Sequence, residues 1–282
     1  MTTVAAPRRW REPSILPGFA QGFGFTIAYL SLIVLIPLAA LVARPWEHGL
    51  DAFWATVTEP RVLAALRLSF GAALAASAVN VVMGLITAWA LVRYDFPGRR
   101  LLEAAVDLPF ALPTAVAGIA LATLYGPHGW IGGLFAPFGI KIAYTPIGVF
   151  VALLLVGLPF IVRSVEPVLQ DFDREVEDAA FTLGAPAWRR AASVILPALT
   201  PALITGFSLA FARAVGEYGS VIFIAGNMPM KSEIAPLLIV TKLEQLNYAG
   251  AASIGLAMLL LSFAILLVIN GLQALLARRG AR

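Results

Sequence analysis

The sequence predicts an all-α integral membrane protein with about six transmembrane helices and a cytoplasmic helix pair between the fourth and fifth. Three observations predict it. The 282 residues are 60% apolar and only 13% charged, whereas soluble domains carry roughly 25% charged residues. The apolar residues gather in runs long enough for helices that cross a bilayer, which takes about 20 residues at 1.5 Å rise each. The basic residues alternate in abundance from one connecting segment to the next, as they do when loops lie on opposite sides of a membrane.

Residues 1–22 form a tail, and a first transmembrane helix follows over 23–43. Its apolar run exceeds a usual signal-peptide core and leads directly into Arg44-Pro45, so it is expected to be an uncleaved anchor. The remaining five helices belong to a core domain over 61–276. They are predicted from about Leu66 to Val92, Val106 to Tyr125, Pro146 to Val162, Ala198 to Glu217 and Ala251 to Leu276. One set of alternate segments holds Arg8, Arg9 and Arg11, then Arg93, Arg99 and Arg100, then Arg163, Arg174, Arg189 and Arg190, then Arg278, Arg279 and Arg282. The other set holds Arg44 and Arg61, then Lys141, then Lys231 and Lys242. The bias places both termini in the cytoplasm and requires an even number of spans. Ser220 to Ala225 is too short to cross on its own; it either extends helix five or re-enters as a partial piece.

Other classes fit poorly. The net charge of +4 is dispersed between apolar runs, which argues against nucleic-acid binding and leaves the lipid bilayer as the surrounding partner. There is no cysteine, and His48 and His128 stand apart from any ligand-type spacing, so no metal site is expected. No catalytic constellation is visible, and no internal repeat of the kind that builds secondary transporters.

The segment over 166–197 is the most informative. Asp171 or Asp173 can cap a helix, and Glu175 and Glu177 suit its positive end. Val176, Ala179, Ala180 and Leu183 recur at helical spacing, Gly184 suits the position after the last turn, and Pro186 suits the start of a second helix. Trp188, Ala191, Ala192 and Ile195 give that second helix an apolar face. Small Ala179 and Ala180 let a partner approach the backbone closely. The acidic cluster Asp171, Asp173, Glu175, Glu177 and Asp178 disfavours anionic headgroups, so a protein-docking element is expected rather than an interfacial helix.

Here the chain resembles the type I ABC importer permeases. Their cytoplasmic signature is Glu-Ala-Ala, three residues, Gly, nine residues, Ile, one residue, Leu-Pro. The sequence has Asp178-Ala179-Ala180, Gly184, Val194 and Leu196-Pro197 at matching spacing, with Asp for Glu and Val for Ile. The resemblance implies that Asp178, Ala179, Ala180, Leu183 and Gly184 form a coupling helix seated in a groove of an ATPase subunit. It extends over roughly residues 15–275 through Ser14 to Gly18, Leu108 to Leu121, Gly139 to Pro146, Ala212 to Pro229 and Ser232 to Glu244. These stretches are similar to permeases of bacterial sulfate/thiosulfate importers, with molybdate permeases sharing some of them. The implied setting is the bacterial inner membrane. The implied partners are a second, W-type permease, two ATPase subunits and a periplasmic sulfate-binding protein. ATP and Mg belong on that ATPase. Lys231-Ser232 imitates the end of a Walker A loop, but Ala225 and Met230 stand where glycines are needed. The expected activity is therefore that of a permease subunit and not of an enzyme; a related oxyanion importer and a secondary transporter are the alternatives.

Within the apolar stretches, Arg213 and Glu217 are an oppositely charged pair four residues apart, on one face of the predicted fifth helix. Intramembrane charges commonly face a cavity or a partner. The pair is a candidate for the outer gate of an anion path, or for a structural bridge. Asn80, Thr114, Ser208 and Ser220 are further candidates for a weakly polar lining, against the plainer role of hydrogen bonding between helices. Pro109 and Pro113 are expected to kink the third helix.

Overall fold

The computed structural model describes residues 18–280, and every regular element among them is helical. The chain opens with α1 (Phe19–Leu30) and α2 (Ile36–Ala43), joined by a π-type turn at Ser31–Leu35 and followed by a 3₁₀ turn, Arg44–His48. Proline accounts for the wide turn. Pro37 has no N–H to donate and its ring would strike the carbonyl four residues back, so the ladder opens just before it. This first rod is apolar over Gln21–His48, and its most apolar window buries nothing within the chain.

A short α3 (Leu50–Val57) leads to α4 (Pro60–Arg93), a 34-residue helix that begins on a proline, the residue best suited to a first helical position. At 1.5 Å per residue it is about 51 Å long, more than a hydrocarbon core requires. Two helices follow, α5 (Arg99–Ala111) and α6 (Thr114–Tyr125), then the short α7 (Gly132–Phe135). The long α8 (Pro146–Gln170) runs on well past the predicted end at Val162. Next come α9 (Arg174–Thr182) and α10 (Ala187–Arg190). A second π-type turn, Ala191–Ile195, precedes Pro197 and leads into α11 (Leu196–Val215). The chain ends with α12 (Val221–Ile224), α13 (Ala235–Glu244) and α14 (Tyr248–Gly280).

The core is built on α8, which lies against both α4 and α11, and these two also touch each other. Two apolar clusters fill it. One gathers Leu66, Phe70, Val149, Leu153, Phe211 and Ile254; the other gathers Leu91, Ile161, Val165, Leu169 and Leu199 nearer the α9 end. Close approach is required at Gly157 of α8, where a Cβ would fall 2.6 Å from the side-chain nitrogen of Asn80 on α4. Small residues at such crossings let membrane helices approach closely.

Among the described residues, five helical stretches are long and apolar enough to cross a membrane: Gln21–His48, Pro60–Arg93, Pro146–Gln170, Ala187–Val215 and Tyr248–Leu275. The third predicted span, Val106 to Tyr125, is not a straight helix. It divides into α5 and α6, whose axes differ by 116°. Pro113 removes a ladder donor and pushes Leu112 into the extended conformation, φ −83° and ψ 135°. The expected kink is therefore a corner. Two further expectations change. Helix five stops at Val215 and not at Glu217, because the chain turns away at Gly216. Ser220 to Ala225 does not extend it: α12 is a separate short turn packed on α6 and α8, with Val221, Ile224 and Ala225 fully buried. In addition, α13 forms a helix against α14 and α4 that the sequence reading did not anticipate.

Candidate functional site

Two places concentrate the predicted residues, and they lie at opposite ends of α11. At the first, α9 and α10 form the expected helix pair. Asp173 supplies the N-cap, its Oδ1 accepting the Glu175 N–H at 2.9 Å. Gly184 closes the helix in the left-handed region at φ +81°. Its N–H donates to the Phe181 carbonyl at 2.9 Å, and the Ala185 N–H donates to the Ala180 carbonyl at 3.0 Å. This is a Schellman closure, which satisfies the last carbonyls and favours glycine because a Cβ is costly at positive φ.

The pair leaves its apolar side chains uncovered. Leu183 is 87% exposed, Trp188 68% and Phe181 65%, and Val176 is exposed beside them. Asp178, Ala179 and Gly184 are exposed too, while Ala180 is half-buried. Phe181 was not among the predicted docking residues, although its place in the helix made it legible. Its ring carries the Arg190 guanidinium 5.0 Å above its centre, and this contact holds α9 to α10. One turn before Phe181 on α9, Glu177 forms an ion pair with Arg93, the last residue of α4. Nearby, Arg163 of α8 joins Asp107 of α5, with its Nε donating at 2.9 Å, and Glu166 of α8 at 2.7 Å. These two arginine pairings tie elements that are far apart in sequence, which local spacing does not reveal.

At the other end of α11, Glu217 is 3% exposed. One of its oxygens pairs with Arg213. The other accepts the Ser220 N–H at 2.9 Å and the Ser220 hydroxyl at 2.8 Å. The carboxylate is thus fully engaged, although it sits just beyond the helix and not on its face as expected. Arg213 remains about a third exposed, at 37% of its side chain. Thr114, the first residue of α6, abuts Gly219 next to this cluster. So Arg213, Glu217, Ser220 and Thr114 come together. Asn80 and Ser208 do not join them: Asn80 is buried and donates to the Leu154 carbonyl of α8 at 3.1 Å, and Ser208 donates to the Ile204 carbonyl one turn back on α11.

Two further pairings went unanticipated. Arg61 makes a two-pronged bond to the buried Glu233, at 2.8 and 2.7 Å, and Lys242 lies 3.7 Å from Glu59. Arg67 lies exposed within α4, with no ion pair among the described residues. No group of three His, Asp or Glu side chains able to hold a metal occurs among the described residues. The Walker-like Lys231-Ser232 sits in a turn, where the buried Ser232 hydroxyl accepts the Met228 N–H.

Long apolar helices packed around α8, with one capped amphipathic pair left exposed at an end, define a multi-pass α-helical membrane protein. The fold is shared with a chain of a bacterial alginate ABC transporter crystallised in complex with an alginate pentasaccharide-bound periplasmic protein. The TM-score is 0.73 at 16% identity, covering 89% of this chain and 92% of that one. Residues 80–282 match the family described as binding-protein-dependent transport system inner membrane component, and the chain belongs to that family. It is 51% identical to the sulfate transport system permease protein CysT of Synechocystis sp., over 88% of this chain and 87% of the relative. It is 45% identical to CysT of Escherichia coli K12, over 94% and 96% respectively.

Proposed function

We propose that this chain is one of two permease subunits of an ATP-driven importer that carries sulfate, and thiosulfate with it, across a bacterial inner membrane. The observation that carries the reading is α9, capped at Asp173 and closed at Gly184, whose apolar residues Val176, Phe181 and Leu183 stay largely exposed among the described residues. An exposed ridge of this kind needs a partner surface to remove it from water. An ATPase groove is the occupant that the family membership supports, and the 45–51% identity to sulfate permeases supports the cargo.

In this reading the α9 end is cytoplasmic, as are both termini. The coupling residues are Asp178, Ala179, Ala180, Leu183 and Gly184. Two ATPase subunits bind ATP and Mg and act on this chain and on a W-type permease beside it. A periplasmic sulfate-binding protein delivers cargo to the opposite face. There Arg213, Glu217, Ser220 and Thr114 border the outer gate, and Asn80 and Ser208 belong to the helices around the path. Glu217 neutralises Arg213 without using all five of its N–H donors. A dianion is therefore offered hydrogen bonds without a full net charge to hold it.

Labelled-sulfate uptake in a strain lacking its own sulfate permeases tests the cargo. Uptake should return with this chain and its co-expressed partners, and thiosulfate should compete better than molybdate. Stronger competition by molybdate would reassign the cargo. Gly184→Arg tests the docking: membrane insertion should survive while ATPase pull-down and uptake are lost. Normal pull-down with normal uptake would refute the coupling assignment.

A further inference from the structure

The coupling pair is attached to the membrane helices in an uneven way. Covalently, α9 hangs between the end of α8 and the start of α10, and its backbone packs chiefly against α10 and the turn that follows. The continuous rise from Ala187 to Val215 gives it a direct route into α11. The third helix of the core, α4, is joined to α9 by no short covalent path. Among the described residues a single ion pair makes that connection, Arg93 to Glu177, across 84 residues of sequence.

The pair is placed with some care. Both side chains are largely shielded, at 11% and 20% exposure, so salt screens them less than surface charges. Arg93 closes α4 at the end where a cation suits the helix dipole. Its guanidinium lies 5.3 Å over the ring of Trp89, one turn earlier, which limits its swing. Glu177 has Arg174 one turn away on its own helix, yet pairs with Arg93 instead. The neighbours Asp178 and Ala179 face outward. Glu177 is thus anchored while Asp178 and Ala179 beside it are presented.

We propose that Arg93 is a positioning residue that makes α4 move with α9, so that displacement of the docked helix reaches α4 together with α8 and α11. The inference rests on the coupling role assigned to α9 above. Without the pair, α9 still docks and still drags α11, but α4 is released from the motion. Nucleotide hydrolysis then proceeds without a matching passage of cargo.

The test uses the complete importer in liposomes with sulfate-loaded binding protein, reading ATPase pull-down and the ATP consumed per sulfate imported. Arg93→Ala should keep normal pull-down and raise that ratio about fivefold or more, the lower end of typical coupling between sites. Arg93→Lys should give an intermediate ratio. The exchange pair Arg93→Glu with Glu177→Arg should return to within about twofold of the parent, while each reversal alone stays high. A parent-like ratio in Arg93→Ala overturns the proposal, and so does an exchange pair no better than the single reversals. Should Arg93→Ala fail to fold, the lysine variant and the exchange pair decide between the same outcomes. A parent chain that captures no ATPase refutes the docking reading and this proposal together; capture with an unchanged ratio refutes this proposal alone.

Discussion

The two ends of α11 solve opposite problems. At one end, the Glu217 carboxylate is withdrawn from solvent and satisfied by Arg213 and both donors of Ser220. At the other, α9 is capped by Asp173 and closed at Gly184, but the α9–α10 pair leaves Phe181, Leu183 and Trp188 in the open. Buried polar groups must find partners inside the chain because nothing else reaches them. Apolar groups left exposed on an otherwise finished element indicate that the partner lies outside it. With α9 as the proposed docking element, the contrast separates what stabilises the chain from what would connect it to others.

That separation can be broken on purpose. Glu217→Ala carries the largest expected effect. It strands a partly buried guanidinium and two donors, which should lower unfolding stability by about 3 kcal/mol, read by thermal melting in detergent. ATPase pull-down at a temperature where the variant remains folded should be unaffected. Leu183→Asp should do the reverse: a melting curve within about 0.5 kcal/mol of the parent, and capture weakened on the order of tenfold, as expected for a residue near the middle of an interface. If both variants moved both readouts equally, the division between the two ends would not hold. Asn80→Ala gives the smallest effect. Loss of its bond to the Leu154 carbonyl should cost about 0.6 kcal/mol, the usual worth of a hydrogen bond between membrane helices, with no change in capture.

Much of this was legible from residue spacing. The spans, the caps at Asp173 and Gly184, and the apolar character of the α9–α10 pair all follow from patterns within about twenty residues. Spacing fails where the outcome depends on contacts remote in sequence. Pro113 announces a disturbance, but not one of 116°, because the new direction of α6 depends on its seat against α12. Glu217 looks like a helical residue until Gly216 and Gly219 allow the chain to turn. The Arg93–Glu177 and Arg163–Asp107 pairs join charges that spacing leaves unconnected: Asp107 falls inside the predicted third span, and the other three in segments between predicted spans. The alternation of basic residues between segments carries no information about their partners.

The corner at Leu112–Pro113 bears on the surroundings of the protein. The opening turn of α6 has no side-chain cap, so the amide hydrogens of Thr114, Ala115 and Val116 point beyond the end of their own helix. Fatty acyl chains offer such groups no acceptor, and irregular backbone at membrane depth survives only against protein or water. The chain supplies that cover itself at this corner, with Thr114 set against Gly219 and α12 packed on α6.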